Sequence, residues 1–429
     1  MGKHSLETIK KLVKEEDVEF IRLQFTDKMG TLKNIAVTAS QLDRIFEEPF
    51  TIPGNGEKEM IPCGSRELYL KPDLDTFMIL PWRPQQGKVA RMICDVTKTD
   101  GTPCAASPRN ILARTVEKAK KEGYELKIGY GCEFFLFHTD ENGMPTVFTH
   151  EQAGFMDMSP VDLGENTRRD IILCLEEMGF NVESSYHAMA PGQHRIDFGQ
   201  SEAMDAADHM VTFRSAVKAI AKRFGLHATF MPKPNDNAEG SGLHMSVSLM
   251  KNGKNLFAGK EEGSLSKEAA WFAGGVLNHA ASMALVTSPF VNSYKRLSWM
   301  KEKGRSIFYM PAFQSPKKAR LELFSPDAAA DPYVSAALCL EAGLEGIRRR
   351  MEPEDLSGNF DILPDNLYEA IEAFRHDFFV QGILGEDFCR EYCKAKKKEW
   401  QEYASHVTEW EISRYLYRIW KTDTRLNGF

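Results

Sequence analysis

The chain contains no run of apolar residues long enough to span a membrane, and no apolar segment follows its first residues. These absences exclude a helical membrane span and leave a cytoplasmic protein as the expectation. A basic stripe is missing too. Lys and Arg number 54 against 61 Asp and Glu, a net charge of -7, so the electrostatic footprint of a nucleic-acid binder is absent. A short lysine run, Lys396-Lys397-Lys398, reads as a solvated helix face rather than a binding patch. Cysteine is sparse and scattered, with 8 in 429 residues. That excludes a disulfide scaffold and fits reduced thiols. Cys389 and Cys393 would stack on one helix face, and with no second ligand pair they read as packing, not as a metal site. Internal repeats and low-complexity segments are also lacking.

What is present is enough chain to bury a large core, and two domains are expected. Residues 5–16 read as a helix capped by Ser5, with Ile9, Leu12 and Val13 on one face. Residues 18–26 and 31–38 read as strands joined in a hairpin by Lys28-Met29-Gly30. Residues 51–65 carry Pro53, Gly54, Gly56, Pro62 and Gly64 and read as loop. The first domain is expected to end near Thr102-Pro103, giving domains over 1–103 and 104–429. A helix then opens at Ser107-Pro108, with proline in its first turn. Residues 125–137 read as a strand turning at Asp140-Glu141-Asn142-Gly143. Helices are expected over 166–178 and 203–224, strands over 228–231 and 243–250, and a mostly helical tail from Asp365.

Several motifs stand in one order along the chain. They are Phe20-Ile21-Arg22-Leu23-Gln24-Phe25-Thr26-Asp27, Tyr69-Leu70-Lys71-Pro72-Asp73-Leu74-Asp75-Thr76, Pro81-Trp82 and Ala90-Arg91-Met92-Ile93-Cys94-Asp95. Asp162-Leu163-Gly164-Glu165-Asn166, Ala190-Pro191-Gly192-Gln193-His194-Arg195-Ile196-Asp197-Phe198 and Phe230-Met231-Pro232-Lys233-Pro234 follow. Gly240-Ser241-Gly242-Leu243-His244, Asn292-Ser293-Tyr294-Lys295-Arg296-Leu297 and Arg320-Leu321-Glu322-Leu323 complete the series. The ordered set resembles the type I glutamine synthetases over nearly the whole chain. The resemblance implies an α+β fold: an N-terminal β-grasp domain and a larger catalytic-type domain of curved antiparallel sheet with helices. It also implies two stacked six-membered rings with sites between neighbouring subunits.

That family phosphorylates the γ-carboxylate of glutamate with ATP, and ammonia displaces the phosphate. Two divalent ions offset the phosphoryl charge. The positions matching the first ion's ligands are Glu133, Ala188 and Arg195. Those matching the second are Gly131, His244 and Glu322. Only Glu133, His244 and Glu322 can bind a metal. Arg195 cannot, because a guanidinium has no lone pair to give and stays protonated. Arg195 is therefore expected to displace the first ion, either by reaching toward Glu133 as a fixed cation or by pointing to solvent from a collapsed pocket. The ammonium-binding aspartate of the family is replaced in Pro53-Gly54-Asn55-Gly56. The flap glutamate has no clear counterpart in Ser298-Trp299-Met300-Lys301-Glu302-Lys303-Gly304, where Glu302 is a weak substitute. Phe324 stands in place of one substrate arginine, and Tyr309 or Met310 in place of a phosphate arginine. Arg296 matches the arginine that grips the substrate carboxylate, and Arg305 and Arg320 match arginines near the ATP phosphates. Glu239, Gly240 and His244 match substrate-binding positions, with Glu239 replacing an asparagine beside the substrate amine. Ordinary ion pairing would equally explain these arginines.

Cys132 offers a different chemistry: a thiolate with His187 or His194 as base would be a nucleophile. Inert packing in a strand explains the same cysteine. Two readings of function remain. One is a family member that does not make glutamine and acts by binding, as a regulator or as partner of an active glutamine synthetase. The other is an ATP-dependent ligase joining a carboxylate to an amine other than ammonia. The expected cofactors are ATP and one Mg2+ or Mn2+, without a two-metal site. The expected partners are further copies of the chain, with neither nucleic acid nor membrane.

Overall fold

The computed structural model describes residues 4–54 and 60–416. Asn55 and Gly56, and the chain from Tyr417 to Phe429, lie outside the described residues. The first helix, α1 (Leu6–Glu15), is capped by Ser5, whose hydroxyl accepts from the Thr8 amide. Strands β1 (Val18–Thr26) and β2 (Leu32–Thr38) form the expected antiparallel hairpin, and Gly30 turns it at φ +75°. Helix α2 (Leu42–Glu47) leads to β3 (Phe50–Pro53), β4 (Glu67–Pro72), β5 (Met78–Ile79) and β6 (Lys88–Lys98). The path β2-β1-β6-β4-β3 makes one sheet, with β1 parallel to β6. This is the β-grasp expected for the first domain. The loop read over 51–65 is corrected at its start, since Phe50–Pro53 pairs with β4. Proline is tolerated there because it ends an edge strand.

Helix α3 (Pro108–Lys121), which starts after Ser107 with proline in its first turn, precedes the long strand β7 (Tyr124–His138). Then come α4 (Glu165–Glu177), β8 (Val182–His187), β9 (Gln193–Phe198), β10 (Ser201–Glu202) and α5 (Ala203–Arg223). Strands β11 (Leu226–Thr229), β12 (Leu243–Lys251) and β13 (Lys254–Asn255) follow, and after them α6 (Lys267–Asn278), α7 (Ala280–Thr287) and α8 (Val291–Glu302). The chain closes with β14 (Phe308–Tyr309), β15 (Leu321–Leu323), α9 (Pro332–Arg349), α10 (Leu367–His376), α11 (Phe378–Leu384), α12 (Glu386–Ala404) and α13 (Glu409–Tyr415). The second sheet runs β14-β15-β12-β7-β9-β8, and β7 is its spine. One face of β7 packs Ile128, Tyr130, Cys132 and Phe134 into the core. Its other face, bearing Gly131 and Glu133, floors a cleft, as the two-residue period of a strand requires.

Two expectations fail. Lys396 is fully buried, paired with Glu399 at 2.9 Å and set 4.8 Å over the Phe290 ring, so the lysine run is solvated only at Lys397 and Lys398. The aliphatic stem and the aromatic face make burial of that ammonium tolerable. Cys63 and Cys104 are joined as a disulfide, with Cα atoms 5.8 Å apart, so the thiols are not all free. Cys389 and Cys393 remain free on α12. Among the described residues, no single helix is long and apolar enough to cross a membrane.

Candidate active-site cleft

Strand register assembles the cleft. Glu133 of β7 lies directly opposite Arg195 of β9, and Gly131 lies between Asp197 of β9 and His244 of β12. Ser246 of β12 faces Glu322 of β15. Gly131, Arg195, Asp197, His244, Arg320 and Glu322 line one cavity of about 300 Å³.

Arg195 does not turn to solvent; it forms the expected ion pair with Glu133, at 3.9 Å, while its hydrogen bonds go to other partners. Its Nε donates to Asp197 Oδ1 at 2.8 Å, and its Nη1 donates to His244 Nδ1 at 2.6 Å. Glu133 Oε1 stands farther off, at 3.9 Å. The Tyr186 ring faces the guanidinium at 5.8 Å, and Ser184 donates to Asp197 Oδ2 at 2.7 Å. Gly131 is part of the same arrangement. A Cβ there would run into Asp197 Oδ1 and come within 2.7 Å of Arg195 Nη2. The guanidinium thus fills space that a side chain at 131 would take.

This geometry fixes the state of His244. Its Nδ1 lone pair is taken by Arg195, so the neutral ring carries its proton on Nε2, which points toward Glu133 Oε1 at 3.8 Å. Burial, with Arg195 and Arg296 adding to it, holds the ring well below the usual histidine range. In this arrangement neither nitrogen offers a lone pair to a metal. Glu133 accepts from the Gly242 amide at 2.7 Å, and burial raises its pKa despite Arg195. Glu322 is held by Arg320 at 3.1 Å. Glu133 Oε1 and His244 Nε2 lie 3.8 Å apart, but Glu322 does not join them in a group whose ligand atoms all lie within 4.8 Å of one another. Among the described residues, the group whose ligand atoms lie within 4.8 Å of one another is Glu151, Asp162, His187 and His194.

That group is buried and largely engaged, although Asp162 Oδ1 and His194 Nε2 are buried without a partner. Glu151 accepts from His187 Nε2, from the Gly192 amide at 2.7 Å, and from the Leu163 and Gly164 amides at 2.9 and 3.1 Å. Arg168 bridges Asp162 Oδ2 and His194 Nδ1, both at 2.8 Å. Burial and Arg168 push His194 down to about 3, so it is neutral with its proton on Nε2. That ring therefore cannot ligate a cation either. The network ties the loop after β7 to β8 and β9.

The remaining expected residues are placed as follows. Arg296 is buried and spends its guanidinium on the Ser325 and Phe324 carbonyls, at 3.0 and 2.8 Å. Burial lowers its pKa. Gly240 and Gly242 crowd against it, and a Cβ at either would meet its side chain. Glu239 faces Arg305 at 3.5 Å, so the carboxylate proposed for an amine and an arginine proposed for phosphates face each other. The Phe324 ring lies tilted against His244 at 4.4 Å, and Tyr309 stacks on Phe324 at 6.1 Å, an aromatic wall where two arginines were expected. Glu302 ends α8 and lines a separate cavity with Lys233 and Trp299, so it does not close over Glu133. Ala188 is buried beside the cleft strands. Cys132 is a poor nucleophile: it is fully buried on the core face, and burial pushes its thiol up to about 12. Its sulfur contacts the Glu133 carbonyl at 3.7 Å and neither histidine. Sequence reasoning missed Asp197 and Ser184. The alternation Arg195-Ile196-Asp197 was the available signal, since it puts both charges on one strand face.

The sequence model described as the glutamine synthetase catalytic domain matches residues 105–415, and that described as the glutamine synthetase β-grasp domain matches residues 17–99. A glutamine synthetase of Clostridium saccharobutylicum is 43% identical over 97% of this chain and 99% of its own length. One from Staphylococcus aureus strain Mu50 is 40% identical over 96% of this chain and 98% of its own. A solved GmaS/ADP complex covers 95% of this chain and 99% of its own at a TM-score of 0.83 and 29% identity. The Plasmodium falciparum glutamine synthetase superposes with a TM-score of 0.86 at 21% identity over 97% of this chain and 99% of its own, a likeness of fold.

Proposed function

This chain belongs to the glutamine synthetase family, and from that premise we propose that it does not make glutamine but acts by binding, as a regulator or as partner of an active relative. The observation that carries this reading is Arg195, seated over Gly131 and bonded to both Asp197 and His244. It opposes a dication by charge and also withdraws the His244 lone pair. The residues present do not fit a pair of divalent ions. A single ion on Glu133, His244 and Glu322 would first require Arg195 to leave. Arg296 and Glu239 support the same reading, since both are engaged within the protein.

The test combines turnover with metal binding. The purified chain, given glutamate, ammonia and Mg-ATP, should release neither glutamine nor phosphate, and calorimetry with Mn2+ should show no binding in the cleft. The variant G131E/A188E/R195E, with each ligand position refilled, should regain Mn2+. Glutamine formation by the unaltered chain at the rate of an active relative would sink the reading.

A ligase for another amine is the second reading. The similarity to the GmaS/ADP complex favours it, as does Arg320, which still lines an open cleft. ADP release with a member of an amine panel would establish it. We further propose the domain division 1–103 and 104–429 and a homo-oligomer. A run of exposed apolar side chains along residues 144–163, including Phe148, Phe155 and Met158, supports assembly.

A further inference from the structure

A cavity of about 820 Å³ lies apart from the cleft and shares no lining residue with it. It opens where the β1–β2 hairpin of the first domain meets α5, the end of β11, the start of α8 and the end of α12. Drug-sized ligand sites run from about 300 to 1,000 Å³ and favour domain junctions. Met29, Leu32, Val211, Met231 and Phe290 make its walls mainly apolar.

Two cations break that apolar lining. Arg214 and Lys218 stand one turn apart on α5, and each lies 5.9 Å from the Phe230 ring centre. Like charges at this spacing repel. Arg214 Nη2 donates to the Ala330 carbonyl at 2.7 Å, and its Nε is buried with no partner. Among the described residues, neither cation has a carboxylate within the 4.0 Å of an ion pair. The acidic residues across the cavity are engaged elsewhere: Glu399 with Lys396 at 2.9 Å, and Glu402 with Lys398 at 3.6 Å. Asp327 and Asp331 attract Arg214 from the interior without reaching it. Among the described residues, the lining thus carries two cations without an ion-pair partner beside an aromatic face, and two carboxylates whose charge is already paired with lysines outside it.

We propose that this cavity binds a small carboxylate with an apolar body, its carboxylate on Arg214 and Lys218 and its body against Phe230, Met231 and Phe290. The Ala330 carbonyl takes one of the Arg214 guanidinium N–H groups, and the planar fork has further donors with which to grip a carboxylate. Bare phosphate would leave the apolar walls uncovered, and an amine would meet Arg214 and Lys218 while the carboxylates opposite, Glu399 and Glu402, are already paired.

Calorimetry and thermal melting of the full chain with octanoate, octan-1-ol and octylammonium test this. Octanoate should bind and raise the melting temperature, while the other two should do neither. Lys218→Gln should weaken octanoate by about tenfold, the loss of one charge-assisted hydrogen bond. Ser215→Phe, which fills the cavity from α5, should abolish binding. Lys218 is exposed, so its replacement keeps the test readable if substitution of Ser215 or Arg214 impairs folding. No octanoate binding by the unaltered chain, equal binding of octan-1-ol, or unchanged affinity in K218Q would overturn the proposal. None of these outcomes bears on the cleft.

Discussion

At the scale of single residues, Gly131 and Arg195 are one change rather than two. Read along the sequence they are two separate positions that the family resemblance assigns to metal ligands. In space the absent side chain at 131 makes room for the guanidinium, and Asp197 with Ser184 holds it there. The guanidinium therefore has a fitted seat in the cleft, with Gly131 beneath it and Asp197 and His244 as partners. His244 should accordingly appear in nitrogen NMR as the pure Nε2–H tautomer, and R195A should yield a mixture. A mixture in the unaltered chain would remove the argument. A second residue prediction concerns His279, buried between Asp377 and Glu345 at 2.6 Å each. Burial alone would lower its pKa, but the two carboxylate bonds outweigh burial and raise it. A raised folded pKa means stability that is complete below the unfolded value of about 6.5 and is lost as pH rises through the folded value. Asp377 works in the opposite sense. Its pKa falls to about 2, so its contribution is present above about 3.9 and disappears on acidification. Urea denaturation should therefore show a decline above neutrality that H279Q flattens.

At the scale of elements, helix-on-helix contact decides what can change. Helices α6 and α9 cross at Gly275 and Gly346, where each glycine backs onto the other helix's backbone and a Cβ would strike the Ala342 or Trp271 carbonyl. G275V should cost about 1–3 kcal/mol, the usual penalty of overpacking, measurable as a lower urea midpoint with an unchanged slope. An unchanged midpoint would mean that the helices part at no cost. Helix α8 runs through the segment where the family flap was expected, so Trp299 sits on a helix between Lys233 and Lys303, 3.8 and 4.9 Å from its ring.

At the scale of the whole molecule, two measurements follow. Light scattering should give a mass that is a multiple of 48.6 kDa, because the exposed apolar run over 144–163 needs cover. A monomer at micromolar concentration would count against assembly. Thiol titration of the unfolded, unreduced chain should find six reactive cysteines of the eight, with Cys63 and Cys104 joined. C63S should cost about 4 kcal/mol, since the bond closes a long loop in the unfolded chain. Eight reactive thiols would exclude that bond.

The sequence by itself determined the family, the β1–β2 hairpin, the cap at Ser5, the helix start at Ser107-Pro108, and the presence at 131, 188 and 195 of residues whose side chains cannot ligate a metal. Each of these rests on local pattern or on the chemistry of one side chain. Only the tertiary structure decided where charges went: Arg195 to Asp197 and His244, Arg296 to two carbonyls, Lys396 into the core. Charge partners come from strands and helices distant in sequence, and a hydrogen-bonded proton settles what a histidine can bind. Neither is written in the local order of residues.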